Sequence, residues 1–132
     1  MGAQVKRVRD ASGNITTLNL QSADPAQRRL DVLPGTDCDL STRFLGFYWT
    51  KSAGASVDIE VQRVDLANGN KVYPIEKVTG DTTLNGAWTP PNEELSGLDA
   101  QAPRAAGFGW RLQFSQAGSA CLVDAVAVYK GV

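Results

Sequence analysis

The sequence predicts an all-β fold, a two-sheet antiparallel β-sandwich of about seven to nine strands. Three observations carry that prediction. Apolar and polar residues alternate with period two, most clearly in 41–51, 56–64 and 108–116. Clusters of Gly, Asn, Asp and Ser separate the alternating stretches at the spacing expected of short strands. No amphipathic stretch of three helical turns occurs anywhere in the chain.

At the N-terminus, "MGAQVKRVRD" (1–10) holds Lys6, Arg7 and Arg9, the only concentration of basic residues. It reads as a solvated first strand or a flexible basic arm, and in the sharper reading as an interface arm docking on an acidic neighbour. "DASGN" (10–14) is a turn leading to "ITTLNL", and "DPAQRRL" (24–30) is the one place for a short helix. In "STRFLGFYWTK" (41–51), Leu45, Phe47 and Trp49 line one face while Phe44 and Tyr48 line the other, with Gly46 between them. Both faces are apolar, so this strand is expected to be central, with its second face covered or used.

"SVDIEVQRV" (56–64) sets Val57, Ile59 and Val61 against Asp58, Glu60 and Gln62, the pattern of a half-buried strand. "LANGN" (66–70) then makes a hairpin to "KVYPIEKV" (71–78), where Pro74 removes a ladder donor and places the strand at a sheet edge. Residues 79–106 form a long surface segment holding three of the six prolines, interrupted by a short strand near "LNGAW". Within it Trp88 either packs on the core edge or contacts a partner. In "FGWRLQFSQ" (108–116), Phe108, Trp110, Leu112 and Phe114 share one face, and "SQAGSA" (115–120) reads as a hairpin to the closing strand. That strand, "ACLVDAVAVYKG" (120–131), carries one acid, Asp124, in phase with Leu122, Val126 and Val128. On a core face, its carboxylate costs several kcal/mol unless a cation or hydrogen-bond donors meet it.

A chain of 132 residues with 42% hydrophobic and 20% charged content makes one globular domain, residues 1–132, with a core of its own. The net charge of −1, with both signs interspersed, offers no broad footprint for nucleic acid. The longest bulky apolar run, 44–49, is too short for a bilayer-spanning helix, and no secretory signal follows the basic N-terminus. Synthesis in the cytoplasm, without a nucleic-acid or membrane partner, is expected.

The chain contains no histidine, which removes Ser-His-Asp and Cys-His nucleophile systems and mixed Cys/His zinc sites. Cys38 and Cys121 are expected as reduced, partly buried thiols, although the fold leaves a bridge between them open. Asp37 and Asp39 flank Cys38, and Glu93 adjoins Glu94. A glycosidase needs two carboxylates facing each other about 5–9.5 Å apart, which such adjacency does not indicate. The expectation is that the protein is not an enzyme. Phe44, Tyr48 and Trp88 are the candidates for a ligand-binding aromatic platform for a glycan; the alternative is that Phe44 and Tyr48 pack under the 79–106 segment.

The order "LDVLPGTDCDLSTRFLGFYW", "ASVDIEVQRVD", the Trp of "NGAW", and "GWRLQFSQAGSACLVDAVAVYKG" resembles the galactose-binding-like jelly rolls to which many carbohydrate-binding modules belong. The likeness spans roughly residues 30–130 and includes Pro34-Gly35 and the "VDAV" of the closing strand. It implies a jelly-roll arrangement of the sandwich. It also implies a role for Asp124 as metal ligand, holding a structural calcium ion at the core edge together with backbone carbonyls and an early acid. The family's second closing Asp is Ala125 here, and its N-terminal segment has no counterpart in "NLQSADPAQ". Asp124 is therefore also expected to accept from backbone amides or to pair with Arg43 or Arg111; no other cofactor is expected. Domains of this kind serve tailed bacteriophages as capsid decoration and tail appendage proteins. The resemblance thus implies a non-catalytic virion structural protein that docks on a capsid or tail and self-associates as a homo-oligomer. The alternative is a carbohydrate-binding module.

Overall fold

A computed structural model of the chain describes residues 3–39, 42–91 and 108–130. Its strands are β1 (Ala3–Arg7), β2 (Leu18–Asn19), β3 (Arg29–Val32), β4 (Arg43–Lys51), β5 (Val57–Asp65), β6 (Lys71–Asp81), β7 (Asn85–Trp88), β8 (Phe108–Phe114) and β9 (Leu122–Lys130). Sheet A has the order β1-β9-β4-β7, with β2 also on β9, and sheet B has the order β3-β8-β5-β6. All these pairings are antiparallel, and the two sheets enclose one core between them. The predicted β-sandwich is the fold. Among the described strands, only β1–β2 and β5–β6 are consecutive within one sheet; the other steps change sheets.

Several local expectations hold. The 3₁₀ turn Pro25–Arg28 starts at Asp24, whose side chain accepts from the Ala26 amide. The 66–70 turn joins β5 to β6, with Gly69 and Asn70 both at positive φ, as a tight right-twisting hairpin demands. β6 is the edge of sheet B, and Pro74 sits in it where no further strand needs its missing donor. The short strand near "LNGAW" is β7, paired with the central β4.

Three expectations are corrected. Of the two readings of the basic N-terminus, the first strand holds and the flexible arm does not: Ala3–Arg7 are paired along β9 from Lys130 to Val126. The 115–120 segment is no hairpin, since β8 and β9 lie in different sheets and the turn carries the chain across the core edge. There Ala117 is buried and donates its amide to Leu20. The faces of β4 are also rearranged. The register to β9 slips between Phe44 and Gly46, a bulge that places Phe44 and Phe47 on the same, inner side. Gly46 takes φ 154°, and a Cβ there would stand 2.8 Å from the Trp88 carbonyl oxygen.

The core is aromatic at its centre. Phe44 stacks on Trp110 at 4.9 Å between ring centroids, and Trp88 lies 5.5 Å from the same ring. On β9 the inward residues are Val123, Ala125, Ala127 and Tyr129. Ala125 and Ala127 lie opposite Trp49 and Phe47 in the ladder, so small side chains there leave volume for the rings.

Candidate interaction face

Asp124 is in phase with Leu122, Val126 and Val128, but that set forms the outer face of sheet A, and the core takes the other set. Its carboxylate is more than half exposed and meets Arg7 of the neighbouring β1 at 3.5 Å; neither Arg43 nor Arg111 is that partner. The expected place at a buried core edge is therefore corrected. Among the described residues, no group of three or more His, Cys, Asp or Glu side chains is arranged to hold a metal ion.

The strand order β1-β9-β4-β7 brings Asp124 beside residues singled out for other reasons. Arg7 is opposite Val126, Val126 is opposite Tyr48, and Tyr48 is opposite Ala87, so one row crosses the whole outer face. The next row runs Asp124, Thr50 and Asn85, with the Thr50 hydroxyl 3.0 Å from Asn85 Oδ1. Of these residues, all but Ala87 line a shallow depression of about 340 Å³. Around it the face is apolar: Val5, Tyr48 and Leu122 are 54%, 43% and 47% exposed, and Val126 and Val128 are half-buried.

The outer face of sheet B is built differently. Arg111 holds Asp31 through two hydrogen bonds of 2.7 and 3.1 Å, Arg29 lies 3.7 Å from the same carboxylate, and Lys77 faces Asp58 at 3.7 Å. Gln62 donates to Glu60. Partners on the same and on neighbouring strands satisfy this face from within.

The other predicted site residues divide. Phe44 is 1% exposed and Trp88 9% exposed, both in the core, so Phe44, Tyr48 and Trp88 form no surface platform; only Tyr48 faces out. Lys6 donates to the Asp31 carbonyl at 2.7 Å and to Asp37 Oδ2 at 3.0 Å, strapping the edge of sheet A to the edge of sheet B. Arg9 donates to the Gly13 carbonyl. Lys6, Arg7 and Arg9 line a groove of about 810 Å³ along the β1/β3 seam, together with Arg29 and with Asp10, Asp31 and Asp37, so its charges are largely matched internally.

Cys38 and Cys121 are both free thiols. Burial first, and then the nearby charges of Asp37 and Asp39, push the Cys38 thiol up against the opposing effects of Thr42 and Lys6. It is held in the protonated form at neutral pH, a poor nucleophile. Asp37 is engaged by the Leu33 amide and by Lys6, so its carboxylate is structural. Glu93 and Glu94 lie outside the described residues.

Sequence reasoning passed over two buried cations, although register would have found both. Arg63 is in phase with the core residues Val57, Ile59 and Val61, and it lies 4.2 Å from the Trp110 ring centroid. Lys51 is in phase with Phe47 and Trp49, and its ammonium donates to the carbonyls of Ala55 and Asp81 and to the Asp81 carboxylate. No family model, curated protein or solved structure matches the chain.

Proposed function

We propose that the protein is a non-catalytic structural module of the virion decoration or tail-appendage kind, docking through the outer face of sheet A and assembling with copies of itself. The observation that carries the reading is the unequal treatment of the two outer faces. Sheet B spends its polar residues on one another, whereas sheet A turns Val5, Tyr48, Leu122, Val126 and Val128 outward beside the Arg7–Asp124 ion pair. Fully burying such a side chain from water contributes about 1.5–3 kcal/mol, and these are about half covered already, so each adds on the order of 1 kcal/mol and a handful of them supports association. Arg7 and Asp124 sit side by side on the face, and a two-fold related copy would exchange these charges in register.

Light scattering on size-fractionated protein tests the reading. The unaltered chain is expected to give a mass at least twice the 14.1 kDa of one copy, and Leu122→Lys with Tyr48→Lys to give a monomer with an unchanged melting temperature. Both positions are well exposed, so the substitutions spare the core. A single-copy mass for the unaltered chain at every concentration would overturn self-assembly through this face.

A second reading, a glycan-binding module, is supported by the depression itself: one outward tyrosine among Arg7, Thr50, Asn85 and Asp124, which are donors and acceptors of the kind sugar hydroxyls use. It predicts glycan-array binding that Tyr48→Ala abolishes. Trp88→Ala is no test of it, because that side chain is core.

A further inference from the structure

Glu76 points the wrong way for a surface acid. It stands opposite Val61 in the β5/β6 ladder, and Val78 stands opposite Ile59, so both side chains lie on the inner side of sheet B. Val61 and Ile59 are buried there, whereas Glu76 and Val78, on the edge strand, remain exposed. Among the described residues, no cation and no hydrogen-bond donor meets the Glu76 carboxylate.

This acid borders a slot of about 130 Å³ at the seam between the edges β6 and β7. Trp49 and Trp88 line it from sheet A, and Ile59, Val61 and Val78 line it from sheet B. Core rings fix both indoles: Phe114 lies edge-on to Trp49 at 6.0 Å between centroids, and Trp110 lies 5.5 Å from Trp88. Asp81 also borders the slot, but the Lys51 ammonium lies 3.2 Å from its carboxylate and matches its charge. Lys77, next in the chain to Glu76, is turned to the outer face, 3.7 Å from Asp58. One uncompensated negative charge, that of Glu76, therefore stands beside two tryptophans and an aliphatic wall.

We propose that this slot binds the head of a small quaternary ammonium compound of the choline class, its methyl groups between the tryptophans and the aliphatic wall and its charge facing Glu76. Tryptophan attracts a cation to its ring face more strongly than any other side chain does. A quaternary head carries no N–H and is apolar on its outside, which suits this lining; a primary ammonium has three donors and holds its water. Size agrees as well. An apolar protein cavity of about 150 Å³ takes benzene, and a trimethylammonium head has similar bulk, its hydroxyethyl chain leaving past the exposed Glu76 and Val78. The slot lies apart from the outer face of sheet A and does not depend on what covers that face.

Methyl-detected ¹H–¹³C NMR provides the test. Choline is expected to shift the Ile59, Val61 and Val78 methyl signals saturably while leaving those of Val5 and Leu122 in place, and its own N-methyl protons should move upfield, as protons over an aromatic face do. The neutral alcohol in which a tert-butyl group replaces trimethylammonium, and methylammonium, should each bind about fivefold or more weakly. Glu76→Gln, at an exposed edge position, is expected to weaken choline about fivefold at an unchanged melting temperature. Val78→Lys, at a position 45% exposed, sets an ammonium at the rim and should abolish binding. Absence of a saturable shift, equal binding of the neutral alcohol or of methylammonium, or full choline affinity in either variant would each overturn the proposal. In the Glu76→Gln case the acid would serve only as an inward charge that keeps an edge strand from pairing. Choline and the neutral alcohol are compared on the unaltered protein, so that comparison decides even where a variant is unstable.

Discussion

Lys51 shows how a charge is tolerated inside this sandwich. Its side chain is fully buried, and two carbonyls and one carboxylate receive the ammonium, so nearly every donor is met. Burial alone would raise the Asp81 carboxyl, but hydrogen bonds from Thr83 and Lys51 and the charge of Lys51 outweigh it and hold the group below the ordinary aspartate value. A carboxyl lowered in the folded state contributes stability that is full above its unfolded pKa of about 3.9 and is lost as pH falls through the folded value. The melting temperature is therefore expected to fall below about pH 4, and Asp81→Asn to flatten part of that acid limb. The same variant should cost on the order of 3 kcal/mol at pH 7 in urea unfolding, because it leaves a buried ammonium without its counter-charge. Arg63 follows a different rule: burial pushes its guanidinium down to about 10, still charged at neutral pH, and the ring faces of Trp110 and Phe108 receive it. Counting by twos along a strand makes Lys51, Arg63 and Asp124 equally conspicuous. It identifies the first two as interior and misplaces the third, because both faces of β9 are apolar and parity alone does not say which one the core takes.

At the scale of the element, β4 organises both the core and the candidate face. Its bulge lets Phe44 and Phe47 both point inward three residues apart, and restores the alternation that sends Trp49 in and Tyr48 out. Strict alternation put Phe44 beside Tyr48, so the expected aromatic platform failed at the one inserted residue. Gly46 was visible in the sequence as an interruption, and that was the available signal. Gly46→Ala is expected to destabilise by about 1–3 kcal/mol, through strain at positive φ and the clash with the Trp88 carbonyl, read as a lower midpoint in urea at unchanged slope. The turn after β8 teaches a related limit. Its composition says that the chain reverses, but whether it returns in the same sheet or crosses to the other depends on which side the buried Ala117, Cys121 and Val123 must meet.

For the whole molecule, the sandwich was legible because alternation and turn chemistry are local and most core strands announce themselves within nine residues or fewer; β3 did not, since Arg29 and Leu30 fall in the stretch read as a short helix. The candidate face was legible only in fragments. Arg7, Tyr48 and Asp124 stood out one at a time, as part of a basic arm, as an aromatic and as a lone acid. Their meeting depends on β9 lying between β1 and β4, a long-range pairing that no local pattern encodes. Solvent relaxation of methyl groups by a soluble paramagnetic agent, measured in the associated form, tests the docking account most directly. Val5, Leu122, Val126 and Val128 on the outer face of sheet A should lose their relaxation enhancement, while Ile75 and Val78 on the far edge keep theirs. Protection of Ile75 and Val78 with the sheet A methyls left fully open would contradict it.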